Sequence, residues 1–246
     1  MRCQKIVFGF LFFVISSTVF SKVTVRIQYI KGEVTVRRGL EEEWKIAKQG
    51  MILKDVDTIL VGENSKVILD LGDKATFTLG SYSILDIGDL RRITKREMFL
   101  YLMSLKIEKI DRTQTDEKIR IQNVSVVRAE KKNTEKKTDM KNNTMDYWTF
   151  ELNGAEALIQ QRYFTNSVMK LVKIYNHYGD QRNPGLIHHR LGQSFEALYE
   201  PGRAMESYKK AIQLIQQSGY QNNEYKERFQ ACDEAIQRIQ NKMKNE

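Results

Sequence analysis

Three histidines are the first residues to test for chemistry: His188 and His189 are adjacent, and His177 lies one expected helix earlier. Imidazole is a common metal ligand and acid/base group. Neighbouring residues on a helix diverge by about 100°, so His188 and His189 point apart instead of converging on one ion. No cysteine or carboxylate cluster lies near His177 in the sequence, and no metal centre is expected. The run Glu41-Glu42-Glu43 reads as a solvated turn, and Trp44 after it as core rather than a surface for stacking a ligand. The chain contains no Gly-x-Ser-x-Gly elbow, phosphate loop, His-Glu-x-x-His pair or dinucleotide fingerprint. Residues distant in sequence can still assemble a catalytic centre. The residues therefore favour a binding protein with no catalytic residue and no cofactor, and an envelope enzyme acting on glycan stands as the alternative.

The elements that must position any site fall into two parts. Residues 64–80, NSKVILDLGDKATFTLG, alternate apolar and polar. In a strand this puts Val67, Leu69 and Leu71 on one face, continued by Ala75, Phe77 and Leu79 after a turn at Gly72-Asp73. Further short β-branched runs punctuated by Gly, Asp, Asn and Glu extend from Lys22 to about Ile87, the pattern of a sandwich or barrel-like roll. Thr94 and Glu97 form a capping-box signature ahead of a helix expected over 95–104. Strands are expected to return at LKIEKI (105–110) and KIRIQNVSVVR (118–128). Residues 129–146 have almost no apolar side chains and read as a charged linker. Beyond them the period becomes 3.6, with helices expected at 147–163, 166–178, 184–198, 201–217 and 222–243. The fold class is α+β with two domains: a mainly-β roll or sandwich over 22–128 and an all-α domain over 147–246.

Residues 1–21 have basic Arg2 and Lys5, an apolar run from Ile6 to Ile15 and small residues before Ser21. That is the layout of a secretory signal peptide; the alternative is an inner-membrane anchor over 6–20. Export, expected to the periplasm, leaves Cys232 without an internal disulfide partner, because Cys3 departs with the leader. The net charge of +9 falls by two with Arg2 and Lys5 and stays positive. The cations are spread out and not interleaved with aromatic residues, so nucleic acid is not an expected partner; an ordinary charged surface is the plainer account, with an anionic envelope component as the alternative partner. A membrane enters as partner only if the leader stays uncleaved.

Two resemblances rest on particular residues. The segments IKGEVTVRRG, EEEWKIAKQGMIL and DVDTILVGENSKVILDLGDKATFTLGSYSILDI resemble the FecR domain, a periplasmic module. Gly32, Val34, Gly50, Leu53, Asp57, Ile59, Gly62, Ser65, Leu69, Leu71 and Leu79 carry the likeness over roughly residues 23–88. Val61 and Ala129 depart from it. The resemblance admits a regulatory sensor signalling to a membrane partner, although only five residues precede the apolar run where the ferric-citrate regulator carries its anti-sigma segment. The segment IHHRLGQSFEALYEPGRAMESYKKAIQLI is similar to a tetratricopeptide repeat through Leu191, Gly192, Phe195, Ala204, Tyr208 and Ala211. A weaker copy with Ala155, Leu158, Ser167, Leu171 and Ile174 precedes it, and a last helix with Tyr225, Phe229, Ala235, Ile236 and Ile239 would cap the stack.

The repeat register implies that Glu156, Gln160, His189, Gln193 and Glu196 face a concave groove that binds a protein partner or extended peptide. The plainer alternative is a shallow face that is merely solvated or packs on the β domain, since every amphipathic helix has a polar side. The sequence thus leads to an exported, non-enzymatic cell-envelope adaptor.

Overall fold

The computed structural model describes residues 25–114, 146–179, 182–219 and 222–245. The expected leader and its anchor alternative, the strand expected over 118–128 and all of the linker except Asp146 lie outside the described residues. Among the described residues, no helix is long and apolar enough to cross a membrane.

Among the described residues eight strands come first: β1 (Val25–Lys31), β2 (Val34–Arg37), β3 (Trp44–Ile46), β4 (Ile52–Leu53), β5 (Thr58–Val61), β6 (Lys66–Asp70), β7 (Thr76–Leu79) and β8 (Ser83–Asp86). They form two four-stranded sheets, ordered β4-β1-β6-β7 and β3-β2-β5-β8. All neighbouring strands are antiparallel. Alternation decides which side chains meet between the sheets. Ile27, Val67, Leu69, Phe77 and Leu79 come from the first sheet, and Val34, Val36, Ile59, Val61 and Leu85 from the second, in one buried cluster.

The β6–β7 turn is wider than the expected Gly72-Asp73 pair. Leu71 N donates to Ala75 O at 2.9 Å, and Gly72, Asp73 and Lys74 all have positive φ (80°, 50° and 63°). The longer loop leaves Ala75 exposed, while Phe77 and Leu79 keep the buried face.

Several residues that carry the first resemblance hold turns. Gly32 has φ +78°, and a Cβ there would lie 2.3 Å from Ser65 Oγ. That oxygen accepts from Glu33 N (2.7 Å) and donates to Glu63 O (2.7 Å). Asp57, 1% exposed, accepts from Arg38 Nη1 (2.5 Å), Lys54 N (2.9 Å) and Gly39 N (3.2 Å). A buried carboxylate satisfied in this way holds the loop before β5.

Six α-helices follow among the described residues: α1 (Lys95–Gln114), α2 (Tyr147–Gln160), α3 (Phe164–Tyr178), α4 (Leu186–Ala197), α5 (Pro201–Ser218) and α6 (Asn223–Lys244). The capping box is present: Thr94 N donates to Glu97 Oε2 (2.8 Å), and Glu97 N donates to Thr94 Oγ1 (3.2 Å). The strand expected at LKIEKI is helix instead, because α1 continues to Gln114. No glycine or proline interrupts residues 95–114, and nothing there offers the chain a turn.

The helical core gathers Met98, Leu171, Ile174, Ile187, Leu191, Tyr208, Ala211, Cys232 and Ile236 among others. Each part lends the other a helix. Met98 of α1 joins the helical core, whereas Ala157 and Leu158 of α2 join the sandwich core. Leu158 was expected within the weaker repeat copy and instead packs on the sheets.

The join between the parts is close. Phe150 of α2 packs with Leu60 and Ile84 on the outer face of the second sheet, and Asn153 Nδ2 donates to Tyr82 O at 2.8 Å. Gly154 lets the backbones approach: a Cβ there would sit 2.2 Å from Ile84 O. Gln161, just after α2, accepts from Thr78 N (2.7 Å) and donates to Thr78 O (2.8 Å), so a side-chain amide covers the free edge of β7. On α3, Lys170 is 3% exposed and reaches Asp89 (3.2 Å) and Asp86 (3.8 Å), and Asn166 Nδ2 donates to Asp89 O and Arg91 O, each at 2.7 Å.

Candidate groove between α4 and α6

Gly185, at φ +77°, starts α4 so close to α5 that a Cβ would lie 2.7 Å from Ala211 O. About two turns later Gly192 repeats the device, since a Cβ there would meet the Tyr208 ring at 2.5 Å. Ala204 and Ala211 of α5 are fully buried beside them. Small residues at these positions allow close helix packing, and the tight α4–α5 pair fixes which face of α4 turns outward.

That outward face carries His189, Gln193 and Glu196, which line an open groove of about 730 Å³ together with Glu234, Arg238 and Lys242 of α6. Ile159, Phe164, Tyr199 and Tyr208 also line it, with three alanines. Arg238 crosses the groove to Glu196: Nη2 lies 3.0 Å from each carboxylate oxygen, and Nε donates to Oε1 at 3.2 Å. The Tyr208 hydroxyl donates to Glu196 Oε2 at 3.2 Å. Burial raises the Tyr208 phenol above its ordinary pKa, and the Glu196 charge adds to the effect. The His189 ring lies 6.0 Å from that of Tyr208. Burial, with smaller contributions from Arg190 and Arg228, lowers its pKa to about 4, so the imidazole is neutral at pH 7.

Glu156 and Gln160 line a neighbouring cleft between α2 and the sandwich, alongside Thr78, Ser81 and Asn153. Arg190 ties the two depressions together. Its Nη2 is 2.8 Å from Glu156 Oε1, and its Nη1 donates to Gln193 Oε1 at 3.1 Å. Of the five residues expected on one face, three share the groove, Glu156 is linked to it through Arg190, and Gln160 belongs to the second cleft. Both carboxylates are already engaged by arginines of the same chain. The groove therefore presents to an incoming group a neutral imidazole, an amide, the Glu234 carboxylate, the Lys242 ammonium and the Tyr199 ring, which is 88% exposed.

Arg190, Tyr199, Arg238 and Lys242 were not read from the sequence as site residues. The spacing of Ala231, Glu234, Arg238 and Lys242 on α6 places them on one helical face. That face is the one signal the sequence offers for the α6 half of the groove.

The paired histidines do diverge. His188 packs edge-on against Tyr175 with ring centres 4.7 Å apart, on a different side of α4 from His189. Among the described residues, no three or more His, Cys, Asp or Glu side chains are grouped to hold a metal ion. Trp44 sits half-buried at the β3 edge with the Arg37 guanidinium 5.2 Å from its ring, and packs on the Leu60, Ile84 and Phe150 cluster. Glu41 pairs with Lys45 at 2.6 Å on the exposed surface.

No protein-family model, curated protein or solved structure matches the chain.

Proposed function

We propose that the protein is a non-enzymatic adaptor of the cell envelope whose helical part binds a protein partner as an extended segment. The observation that supports this reading best is the groove, in which α4 and α6 face each other with hydrogen-bonding side chains along an open trough. An extended segment suits such a trough, because its backbone amides can be met by Gln193 and the neutral His189 while Tyr199 covers an apolar side chain. The helix pairs are tetratricopeptide-like, a reading supported by Gly192 against Tyr208 and by the buried Ala204 and Ala211. The sandwich is FecR-like, a reading supported by the turn-holding roles of Gly32, Asp57 and Ser65. Residues 1–21 direct export to the periplasm, and the basic surface suits an anionic envelope component.

Crosslinking in intact cells tests the adaptor reading. Glu196 and Glu156 are poor first targets, because reversing either would unpair an arginine. Gln193→Arg and Tyr199→Ala change the trough without breaking an ion pair. The specific protein adduct is expected to disappear in the double variant at unchanged protein level. An adduct pattern identical to that of the parent protein would refute the groove as the partner site.

A further inference from the structure

A third depression lies on the side of α4 that carries His188. It has a volume of about 570 Å³, within the roughly 300–1,000 Å³ range of small-molecule sites. Its lining is apolar where α1, α3 and α4 contribute Leu102, Met103, Val172, Leu191 and Phe195. Its edge along α5 is cationic, with Arg203, Lys209 and Lys210 against the single carboxylate of Glu206. None of the three cations is paired with a carboxylate among the described residues. Lys210 Nζ donates to Gln213 Oε1 at 3.1 Å, and the Arg203 guanidinium lies over Phe99 and Phe195, 5.0 and 5.8 Å from the ring centres.

A polar atom inside the cleft also lacks a partner. His188 Nε2 is buried without a hydrogen bond among the described residues. Burial, helped by the Lys210 charge, lowers the pKa of this imidazole to about 4, so it stands neutral beside the cations. A buried polar atom without a bond is costly.

We propose that this cleft binds a free, monomeric aliphatic carboxylate, with its chain along Leu102, Val172, Leu191 and Phe195 and its head at Lys209 and Lys210. Charge and shape divide the work. The apolar lining takes up chain length, and the α5 edge selects an anionic head over a neutral or cationic one. This site is separate from the groove of α4 and α6, so neither stands or falls with the other.

Calorimetric titration of the full chain with dodecanoate, kept below its micelle concentration, tests the proposal. Saturable one-site binding is expected, strengthening about fourfold per methylene from octanoate upward until the cleft is full. Lys209→Glu/Lys210→Glu, a pair at the rim, should weaken dodecanoate about tenfold and shift dodecanol less than twofold. Val172→Trp, which fills the floor, should abolish binding of both with an unchanged circular dichroism spectrum. Gln193→Arg in the groove should leave the titration as it is. The proposal is overturned if dodecanoate gives no saturable binding or if dodecyltrimethylammonium binds as tightly. It is equally overturned if only anionic vesicles bind, or if sedimentation reveals a dimer through Phe99, Leu100 and Met103 that dodecanoate does not disperse.

Discussion

Replacing Gly154 by alanine probes the join on which the arrangement of both parts depends. Its Cβ would sit 2.2 Å from Ile84 O and 3.3 Å from the carbonyl carbon, against an ordinary contact of 3.4–4 Å. The obstacle is strand backbone, which cannot rotate away as a side chain can. Helix α2 must therefore withdraw by about 1 Å, and a gap of that size forfeits up to about half of each contact well across it. The contacts weakened are those of Phe150 with Leu60 and Ile84, and of Ala157 and Leu158 with the sandwich core. Overpacking of this kind costs about 1–3 kcal/mol, with backbone obstacles at the upper end. The better helix propensity of alanine returns up to about 1 kcal/mol. The net loss is about 2 kcal/mol, or a fall in Tm of about 4–8 °C for a chain of this size.

Thermal unfolding followed by circular dichroism and tryptophan fluorescence measures this directly, and Gly202→Ala serves as the control. Gly202 lies in the first turn of α5 with nothing within 4 Å of a built Cβ, so the same chemical change there should be neutral or slightly stabilising. If Gly154→Ala matched Gly202→Ala in Tm, the close approach of α2 to β8 and the reasoning built on it would be wrong.

Two further outcomes follow from charged and titratable groups. Burial depresses both His188 and His189 to about 4, below the unfolded value near 6.5, so the unfolded chain binds protons first. Stability should be flat above pH 6.5 and fall from there toward pH 4, and urea melts of His188→Phe/His189→Gln should lose most of that slope. Lys170→Met should cost about 1–2 kcal/mol, because it takes the buried cation from Asp89 while Asp86 keeps Lys173. Lys173→Ala, which removes an exposed partner of Asp86, should cost less than about 1 kcal/mol in the same melts.

The strands were legible because alternation reports burial directly: Val67, Leu69, Phe77 and Leu79 could face only a core. β4 was missed because two residues, Ile52 and Leu53, are too few to alternate. The reading of 105–110 as strand failed for a related reason, since Leu-Lys-Ile-Glu-Lys-Ile fits a period of two as well as it fits a helix. The α4 half of the groove was legible because His189, Gln193 and Glu196 recur at helical spacing. The α6 half was not. The Glu196–Arg238 pair spans 42 residues and depends on how α6 docks, which no local pattern encodes. The same holds for Arg190 and Glu156, 34 residues apart.

The groove is tested most directly by a photoreactive amino acid introduced in place of Gln193, compared with the same residue in place of Gln213 at the α5 cleft. After irradiation in cells, mass spectrometry of the adducts identifies what touches each position. A protein segment attached at 193 and none at 213 is the predicted result. Attachment of protein at 213 alone, or at neither position, would contradict it.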